Sequence, residues 1–392
     1  METKAIRVAV LLLAFSIGIA AASIFYFRPA QMAAVSPVDV LEPGTTNVDD
    51  PSLEMVFVID TTGSMGGLID GAKQKVWSIV NEVQQRSSHP SVKVGLVAYR
   101  DRGDTYITQV TPLTDDLDKV YSNLMDLEAA GGGDGPEDVR AALADGFAKS
   151  GWSEQRAGLA QIIFLVGDAP PHDYDNVPDV IATAANAVKK QIIVNTIQCG
   201  VQGDTKDIWQ KIAQYGQGKY FAIAQDGGVA TIETPYDAKL GDLGRSIGGT
   251  YTAYGDATDR VVNMADAEKM ESKMSVSASN TAIASRALNK AVNRDAYRGD
   301  LIQDVENNKV KLADVKDDSL PEDLRKLSKD DREKEVAKRI ADRKAIRGQI
   351  MELSKQRDAY ITAQKAKLGK KGGFDEAVSA ALNEQLNKRG IK

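Results

Sequence analysis

Short apolar segments alternate with segments of helical length between residues 51 and 255. The segment 54–60, EMVFVID, contains a continuous apolar run that ends in a carboxylate. Such a run is expected for a parallel strand that is covered on both faces of a sheet. Strands that alternate with helices of this length predict an α/β fold with a doubly wound, mainly parallel sheet.

The same alternation gives the positions of the expected elements. We expect strands at 54–60, 92–98, 161–166, 192–198 and 219–224, with a shorter edge segment near 105–110. We expect helices at 67–86, 117–127, 137–149, 177–190, 206–215 and 238–246. The large aromatic residues of this region are assigned to packing: Trp77, Trp152, Trp209, Tyr236 and Tyr254.

Acidic residues follow the strands at the points where ligands bind in folds of this kind. Ligands of open parallel sheets bind outside the carboxyl ends of the strands. Asp60 ends the first strand, Asp168 follows a later one, and Asp134 opens the helix between them. Thr62 and Ser64 add hydroxyls to the loop after Asp60. Such oxygens suit magnesium, which can bind hydroxyls directly and hold carboxylates through its waters.

The loop after the first strand carries the pattern D-x-[ST]-x-S, formed by Asp60, Thr62 and Ser64. Together with Asp168 in the third loop, this pattern resembles the von Willebrand factor A domain with a metal-ion-dependent adhesion site. The resemblance covers residues 51–255. It implies that the domain holds one Mg²⁺, or Mn²⁺ or Ca²⁺ in its place, and uses the ion to bind an acidic side chain of a partner protein.

The second loop, 131–137, departs from the family pattern. The family has a threonine after a glycine pair, whereas this chain has GGGDGPE. This leaves Asp134, or less favourably Glu137, as the second-loop ligand. An acidic ligand here would weaken the pull of the metal on a partner carboxylate, or favour calcium. With VAYRD at 97–101 and GDAPPH at 167–172, the chain looks most similar to the A domains of alpha-kinase-type proteins.

Glu137, Asp101 and His172 are candidates for further ligands or for the rim of the site. Asp101 is also expected to form an ion pair with Arg100, and a loop histidine such as His172 is more often exposed without a role. The main motif has a simpler explanation too, because Asp, Thr and Ser before a helix commonly cap it, and Asp168 before Ala-Pro-Pro could be a turn residue. The coincidence of three acidic loops at one sheet edge favours the metal site.

The first fifty residues contain an uncharged segment at 8–27, which follows Lys4 and Arg7. That length suits a helix that crosses about 30 Å of hydrocarbon, so we expect residues 1–30 to be a membrane anchor and 31–50 a flexible tether. The preceding positive charges predict a single-pass inner-membrane protein with its bulk in the periplasm or cell exterior. The alternative is a signal segment, cleaved near the alanines at 20–22, and secretion.

Residues 256–392 are rich in charged residues and predict a helical region. In the stretch 330–368, Ile346, Ile350, Leu353 and Tyr360 recur at the spacing of an amphipathic or coiled-coil seam. This seam predicts self-association through the C-terminal helices, with the charged residues on a solvated face. A last amphipathic helix at 374–386 is expected to pack its apolar side on another element.

Composition limits the partners and the chemistry. The formal net charge of −6 gives no basic field that would attract nucleic acid. With one cysteine, Cys199, and two histidines, a zinc site of the usual nitrogen and sulfur ligands is hard to assemble. We therefore expect any metal to be held by oxygen.

We do not expect an enzyme. Asp60 lies where hydrolases of the haloacid dehalogenase type carry a nucleophilic aspartate, but Thr62 stands where they need a second acid. Residues 63–71 also lack the Gly-Lys-Ser/Thr ending of a phosphate-binding loop. The expected function is a metal-dependent protein-binding module outside the cytoplasmic membrane. The alternatives are an oligomerising scaffold and, third, a metal-dependent hydrolase.

Overall fold

The computed structural model describes residues 51–229, 231–368 and 372–392. Its strands are β1 (Ser52–Asp60), β2 (Ser91–Tyr99), β3 (Thr108–Thr114), β4 (Leu159–Gly167), β5 (Ile192–Cys199) and β6 (Gln217–Ile223). Five helices lie between these strands: α1 (Gly66–Gln84), α2 (Leu117–Met125), α3 (Val139–Ala148), α4 (Val180–Lys189) and α5 (Gly203–Tyr215). Seven more follow β6: α6 (Asp237–Gly248), α7 (Ala257–Ser277), α8 (Asn280–Val292), α9 (Leu301–Glu306), α10 (Glu322–Arg325), α11 (Lys329–Leu368) and α12 (Phe374–Lys388).

The strands form one sheet in the order β3-β2-β1-β4-β5-β6. All neighbouring pairs are parallel except β2 with β3. The central strands β1 and β4 are buried at every position, because helices cover both faces of the sheet. The predicted doubly wound, mainly parallel α/β fold is therefore confirmed.

The edge strand β3 starts a few residues later than the expected segment 105–110. Before it, the chain turns at Gly103, whose φ of 95° lies in the left-handed region that favours glycine. The strand then pairs antiparallel to β2, with Tyr99 opposite Thr108. β3 is therefore the edge strand on this side of the sheet.

Two apolar cores lie on opposite faces of the sheet. On one face, α1 and α2 contribute buried residues such as Leu68, Trp77 and Val120. On the other face, α3 and α5 contribute Leu143 and Trp209. The two tryptophans are at most 2% exposed, in agreement with their assignment to packing.

Helices α6, α8 and α11 form a separate apolar cluster in the C-terminal half. Ile350 is fully buried in this cluster, and Ile346 and Leu353 pack against it. The ring of Tyr360 meets the edge of Tyr236 at 6.4 Å between centroids. The seam that predicted self-association is thus covered within the chain, and oligomerisation through it stays a prediction.

We expected the charged residues of the C-terminal helices to lie on a solvated face, but some charged residues of α11 are buried. Arg343 is fully buried and pairs with the buried carboxylate of Asp300. Its guanidinium also donates to the side chain and the backbone oxygen of Thr250, both at 2.8 Å. Arg357 similarly pairs with the buried Asp237 at 2.7 Å. Removing the arginine of such a buried ion pair is strongly destabilising, because the aspartate would be left buried and unpaired.

The last helix, α12, returns to the sheet. Phe374 is 2% exposed, and its ring lies 5.9 Å from the ring of Phe57 on β1. Its backbone N–H donates to the carbonyl oxygen of Gly227 at 2.9 Å. A Cβ at Gly373 would lie 2.5 Å from the carbonyl oxygen of Gly228, so the two backbones touch. The sheet and α12 therefore share one apolar core, although α6 to α11 separate them in the sequence.

The predicted anchor at 8–27 and the tether at 31–50 lie outside the described residues. Across the ranges that the structure describes, no helix is both long and apolar enough to cross a membrane. Even the longest, the 40-residue α11, carries charged residues along its whole length. We therefore correct the localisation prediction: these helices do not support a single-pass inner-membrane protein with its bulk in the periplasm or cell exterior.

We expect Phe374→Ala to destabilise the whole sheet domain by about 3–5 kcal/mol, because it removes a buried ring and leaves a cavity beside β1. The measurement is urea unfolding of the full chain, followed by circular dichroism. Lys388→Ala on the exposed side of the same helix should change the stability by less than about 0.5 kcal/mol. Equal unfolding midpoints for Phe374→Ala and wild type would contradict the packing of α12.

Candidate metal centre

Asp60 and Asp168 lie at the same edge of the sheet. Asp60 is the last residue of β1, and Asp168 follows β4 directly. The two strands are neighbours, with Ile59 opposite Val166. Both carboxylates are buried, at 0% and 8% exposure. The structure thus brings together two of the acids that the sequence placed at strand ends.

The loop after β1 folds its own side chains onto Asp60. The Oδ1 atom of Asp60 accepts hydrogen bonds from the backbone N–H of Thr62 at 2.9 Å and from the Thr62 hydroxyl at 2.7 Å. Ser64 follows on a short 3-10 helix, Gly63–Met65, and is exposed. Neither this helix nor α1 receives a side-chain cap in the described structure. Helix capping is therefore not what these residues do.

Asp60 is the most deeply buried acid of the group. Within the described residues, its Oδ2 atom is buried and has no hydrogen-bond partner. Burial raises the pKa of Asp60 to about 7 against the lowering effect of the two Thr62 hydrogen bonds, and the charge of Asp168 adds to the rise. An uncompensated carboxylate in such a position is costly.

Glu137 is the second-loop acid that lies beside Asp60 and Thr62. It is 3% exposed, and its Oε2 atom is likewise buried without a partner among the residues described. Burial, and then the charges of Asp60 and Asp101, raise the pKa of Glu137 to about 8. A Cβ at Gly132 would lie 3.2 Å from both Glu137 Oε1 and Thr62 Cβ. The glycine thus lets the second loop pass close to the first.

Asp168 is held by a residue that the sequence did not single out. Gln225 Nε2 donates to Asp168 Oδ2 at 2.6 Å and more weakly to the backbone oxygen of Ser64 at 3.4 Å. Gln225 lies just after β6, at the carboxyl end of a strand of the same sheet. That position was the available signal, but an amide without a motif gave no reason to choose it.

Asp101, Asp134 and His172 form a second group at the same edge, which we name the rim cluster. His172 Nε2 lies 3.1 Å from Asp134 Oδ2 and 3.6 Å from Asp101 Oδ2. The hydroxyl of Tyr174 donates to both carboxylate oxygens of Asp101, at 2.9 and 3.0 Å. Asp134, which we favoured as the second-loop ligand, therefore lies with His172, while Glu137 lies with Asp60.

Arg100 does not make the expected ion pair with Asp101 in the described structure. Its guanidinium instead donates to the backbone oxygens of Thr61 at 3.1 Å and Glu128 at 2.7 Å. It also lies over the ring of Tyr106, 4.6 Å from the centroid. Arg100 thus connects the first loop to the segment that precedes the second loop, and its charge lowers the pKa of Asp60.

Residues 54–235 match the family model of the von Willebrand factor A domain. This part of the chain is a von Willebrand factor A domain. Domains of this kind generally mediate protein–protein interactions, and they often bind a divalent metal ion.

Several proteins are similar in sequence to part of this chain. A von Willebrand factor A domain-containing protein 7 from Rattus norvegicus is 38% identical over 93 residues, which are 24% of this chain and 10% of that protein. The ariadne-like RING finger protein R811 of Acanthamoeba polyphaga mimivirus is 27% identical over 139 residues, 35% of this chain and 13% of that protein. The chain thus spans only about a tenth of the length of these relatives. The crystal structure of the SpRpn10 VWA domain matches with a TM-score of 0.33 and 18% identity, over 45% of this chain and 89% of that one.

The donor atoms of this von Willebrand factor A domain fit a hard divalent cation. Asp60, Thr62, Ser64, Glu137 and Asp168 offer oxygen atoms, which Mg²⁺, Mn²⁺ and Ca²⁺ prefer. The two buried oxygens without partners, on Asp60 and Glu137, belong to this set. A cation would supply a positively charged partner for these two oxygens, for which the described residues provide no hydrogen-bond donor.

Removing the charge of Asp60 should stabilise the metal-free domain at pH 8. An unfolded aspartate has a pKa of about 4, and burial raises that of Asp60 to about 7. The stability that the protonated carboxyl provides is fully present below about pH 4 and is lost as the pH rises through 7. With chelator at pH 8, Asp60→Asn should therefore be more stable to urea than wild type, by at most ~4 kcal/mol.

This difference should shrink as the pH is lowered to 5, where the native carboxyl is protonated. Asp70→Asn, at an exposed position of α1, serves as the control and should follow the wild-type pH profile. A variant at Asp60 that is less stable than wild type at pH 8 in chelator would contradict the burial of an uncompensated charge.

Proposed function

We propose that this von Willebrand factor A domain binds one divalent cation at the ends of β1 and β4 and uses it to bind a carboxylate of a partner protein. The residues that would hold the ion are Asp60, Thr62, Ser64, Glu137 and Asp168. We favour Mg²⁺, with Mn²⁺ or Ca²⁺ as the alternatives. The role is binding rather than catalysis.

The observation that carries this proposal is the pair of buried carboxylate oxygens, Asp60 Oδ2 and Glu137 Oε2, for which the described residues provide no partner. Native proteins rarely leave such atoms unsatisfied, and an exception calls for a ligand or an ion. The hydroxyls of Thr62 and Ser64 lie on the same loop as Asp60, where they could complete an oxygen shell.

Glu137 also affects how strongly the bound ion would attract a partner. Asp60, Glu137 and Asp168 together can carry three negative charges against the two positive charges of the cation. A partner carboxylate would then approach a centre with a net negative charge, which weakens the attraction. We infer that the partner must add contacts of its own around the site, because the ion alone would bind it weakly.

A catalytic use of Asp60 as a nucleophile has less support. Its carboxylate is 0% exposed, and Oδ1 accepts two hydrogen bonds from Thr62. A nucleophile must reach the reacting atom of a substrate, and this oxygen is covered by its own loop. Thr62 also stands where a hydrolase of the type considered above would need its second acid.

Calorimetric titration of the full chain with Mg²⁺ tests the ion site. We expect one saturable site in the wild type, lost in Asp60→Ala and weakened at least ~10-fold in Glu137→Gln, because each change removes an anionic oxygen from the ion. Asp70→Asn is the matched acidic control and should bind as wild type. Tight binding that survives in Asp60→Ala would rule out this site.

The partner carboxylate can be tested with displayed random peptides selected on the Mg²⁺-loaded protein. Enriched peptides should share an Asp or Glu, and its change to Asn or Gln should abolish binding, as should chelator. At saturating Mg²⁺, Glu137→Gln should bind such peptides more tightly than wild type, since it removes one negative charge from the centre. Peptides that bind equally well with and without the ion would contradict the mechanism.

A further inference from the structure

We propose that the rim cluster of Asp101, Asp134 and His172 is a second cation site, separate from the Asp60 centre, which binds a transition-metal dication such as Zn²⁺ in preference to Mg²⁺. One ligand atom from each of the three residues lies within 4.8 Å of the other two. This inference does not depend on the proposed function, because none of the three residues lies in the set around Asp60.

The three ligands come from loops that the structure already holds together. Asp101 follows β2, Asp134 precedes α3 and His172 follows β4. The second and third loops form a β-bridge between Glu137 and Pro171. Within this bridge the N–H of Glu137 donates to the oxygen of Pro170 at 3.0 Å, and the N–H of His172 donates to the oxygen of Glu137 at 2.9 Å. The backbone therefore holds His172 beside the second loop, which carries Asp134, before any ion binds.

The orientation of the third ligand is also fixed. The Tyr174 hydroxyl donates to both oxygens of Asp101, which is 7% exposed. The Tyr174 ring in turn packs on the ring of His172, with centroids 4.8 Å apart. Metal ligands are commonly oriented by an outer layer of hydrogen bonds of this kind. Tyr174 would supply that layer for two of the three ligands.

Glu137, which we assign to the Asp60 centre, is an acid near the rim cluster that also lacks a compensating positive charge. Glu137 is 3% exposed, and its Oε2 atom has no hydrogen-bond partner in the described part of the chain. Burial and the charges of Asp60 and Asp101 all raise the pKa of Glu137. The nearby guanidinium of Arg102 is engaged with Asp138 at 3.0 Å and lies over the Tyr174 ring.

The chemistry of the ligands separates the two sites. The Asp60 centre offers oxygen atoms alone, which suit Mg²⁺, whereas the rim cluster offers an imidazole nitrogen with two carboxylates. Zinc binds both imidazole nitrogen and carboxylate oxygen, and open zinc sites have three protein ligands with water in the fourth position. Imidazole also suits transition metals better than it suits Mg²⁺. The expectation that oxygen alone would hold metal in this chain does not extend to the rim cluster.

The experiment is a Zn²⁺ titration of the full chain by calorimetry, with the Asp60 centre first saturated with Mg²⁺. We expect one Zn²⁺ site in the wild type with a micromolar or lower dissociation constant. His172→Ala and Asp134→Asn should each weaken it at least ~10-fold, with Mg²⁺ binding unchanged. Asp60→Ala should lose the Mg²⁺ site and keep the Zn²⁺ site, so the two proposals can fail separately.

The chain has two histidines, which allows a direct readout by NMR of the imidazole nitrogens. Zn²⁺ should shift the nitrogen signals of one histidine, and that signal should be missing in His172→Ala. His89→Asn is the matched control, because asparagine tolerates the positive φ of 44° at this position, and it should leave Zn²⁺ binding as in wild type. Unchanged imidazole signals in the wild type, or equal Zn²⁺ affinity in folded His172→Ala, would overturn the proposal.

Discussion

Parallel pairing of β1 with its neighbours β2 and β4 is the constraint on which the candidate metal centre depends. It brings the carboxyl ends of three strands to one edge, so that Asp60, Asp101 and Asp168 all emerge from the same side of the sheet. The strands are stiff because both faces are packed. Short loops then need only small excursions to bring their side chains together, and a site on such a scaffold is more exact than one on long loops.

Burying carboxylates at this edge of the sheet lowers the stability of the folded domain. Asp60 and Glu137 lose most of their contact with water, and each retains an oxygen for which the described chain has no donor. Perturbed carboxyl groups of this kind are concentrated at functional sites. The apolar packing on the two faces of the sheet offsets this loss of stability. The site is thus a local departure from the pattern that stabilises the rest of the domain.

The fold and the first loop could be predicted from sequence because both depend on local patterns. Alternating segments gave the strands, and Asp60 and Thr62 stood at fixed spacing after one of them. The sequence could not show which acid of the second loop lies beside Asp60. Asp134 and Glu137 are only three residues apart, and the direction of the chain there is set by Gly131 and Gly132, both at φ of 80°. The return of α12 was also beyond local patterns, because an apolar helix face does not indicate which distant surface it covers.

The position of α12 has a consequence for how the chain acquires its structure. One face of the sheet is closed by a helix that begins about 150 residues after the end of β6, and during synthesis chains grow by only about 5–20 residues per second. For several seconds the part of this face around Phe57 that α12 covers therefore lacks its helix, although α1 and α2 already pack on the rest. Transiently exposed apolar surface is prone to aggregation, so the late synthesis of α12 makes this part of the sheet the most vulnerable surface of the nascent domain.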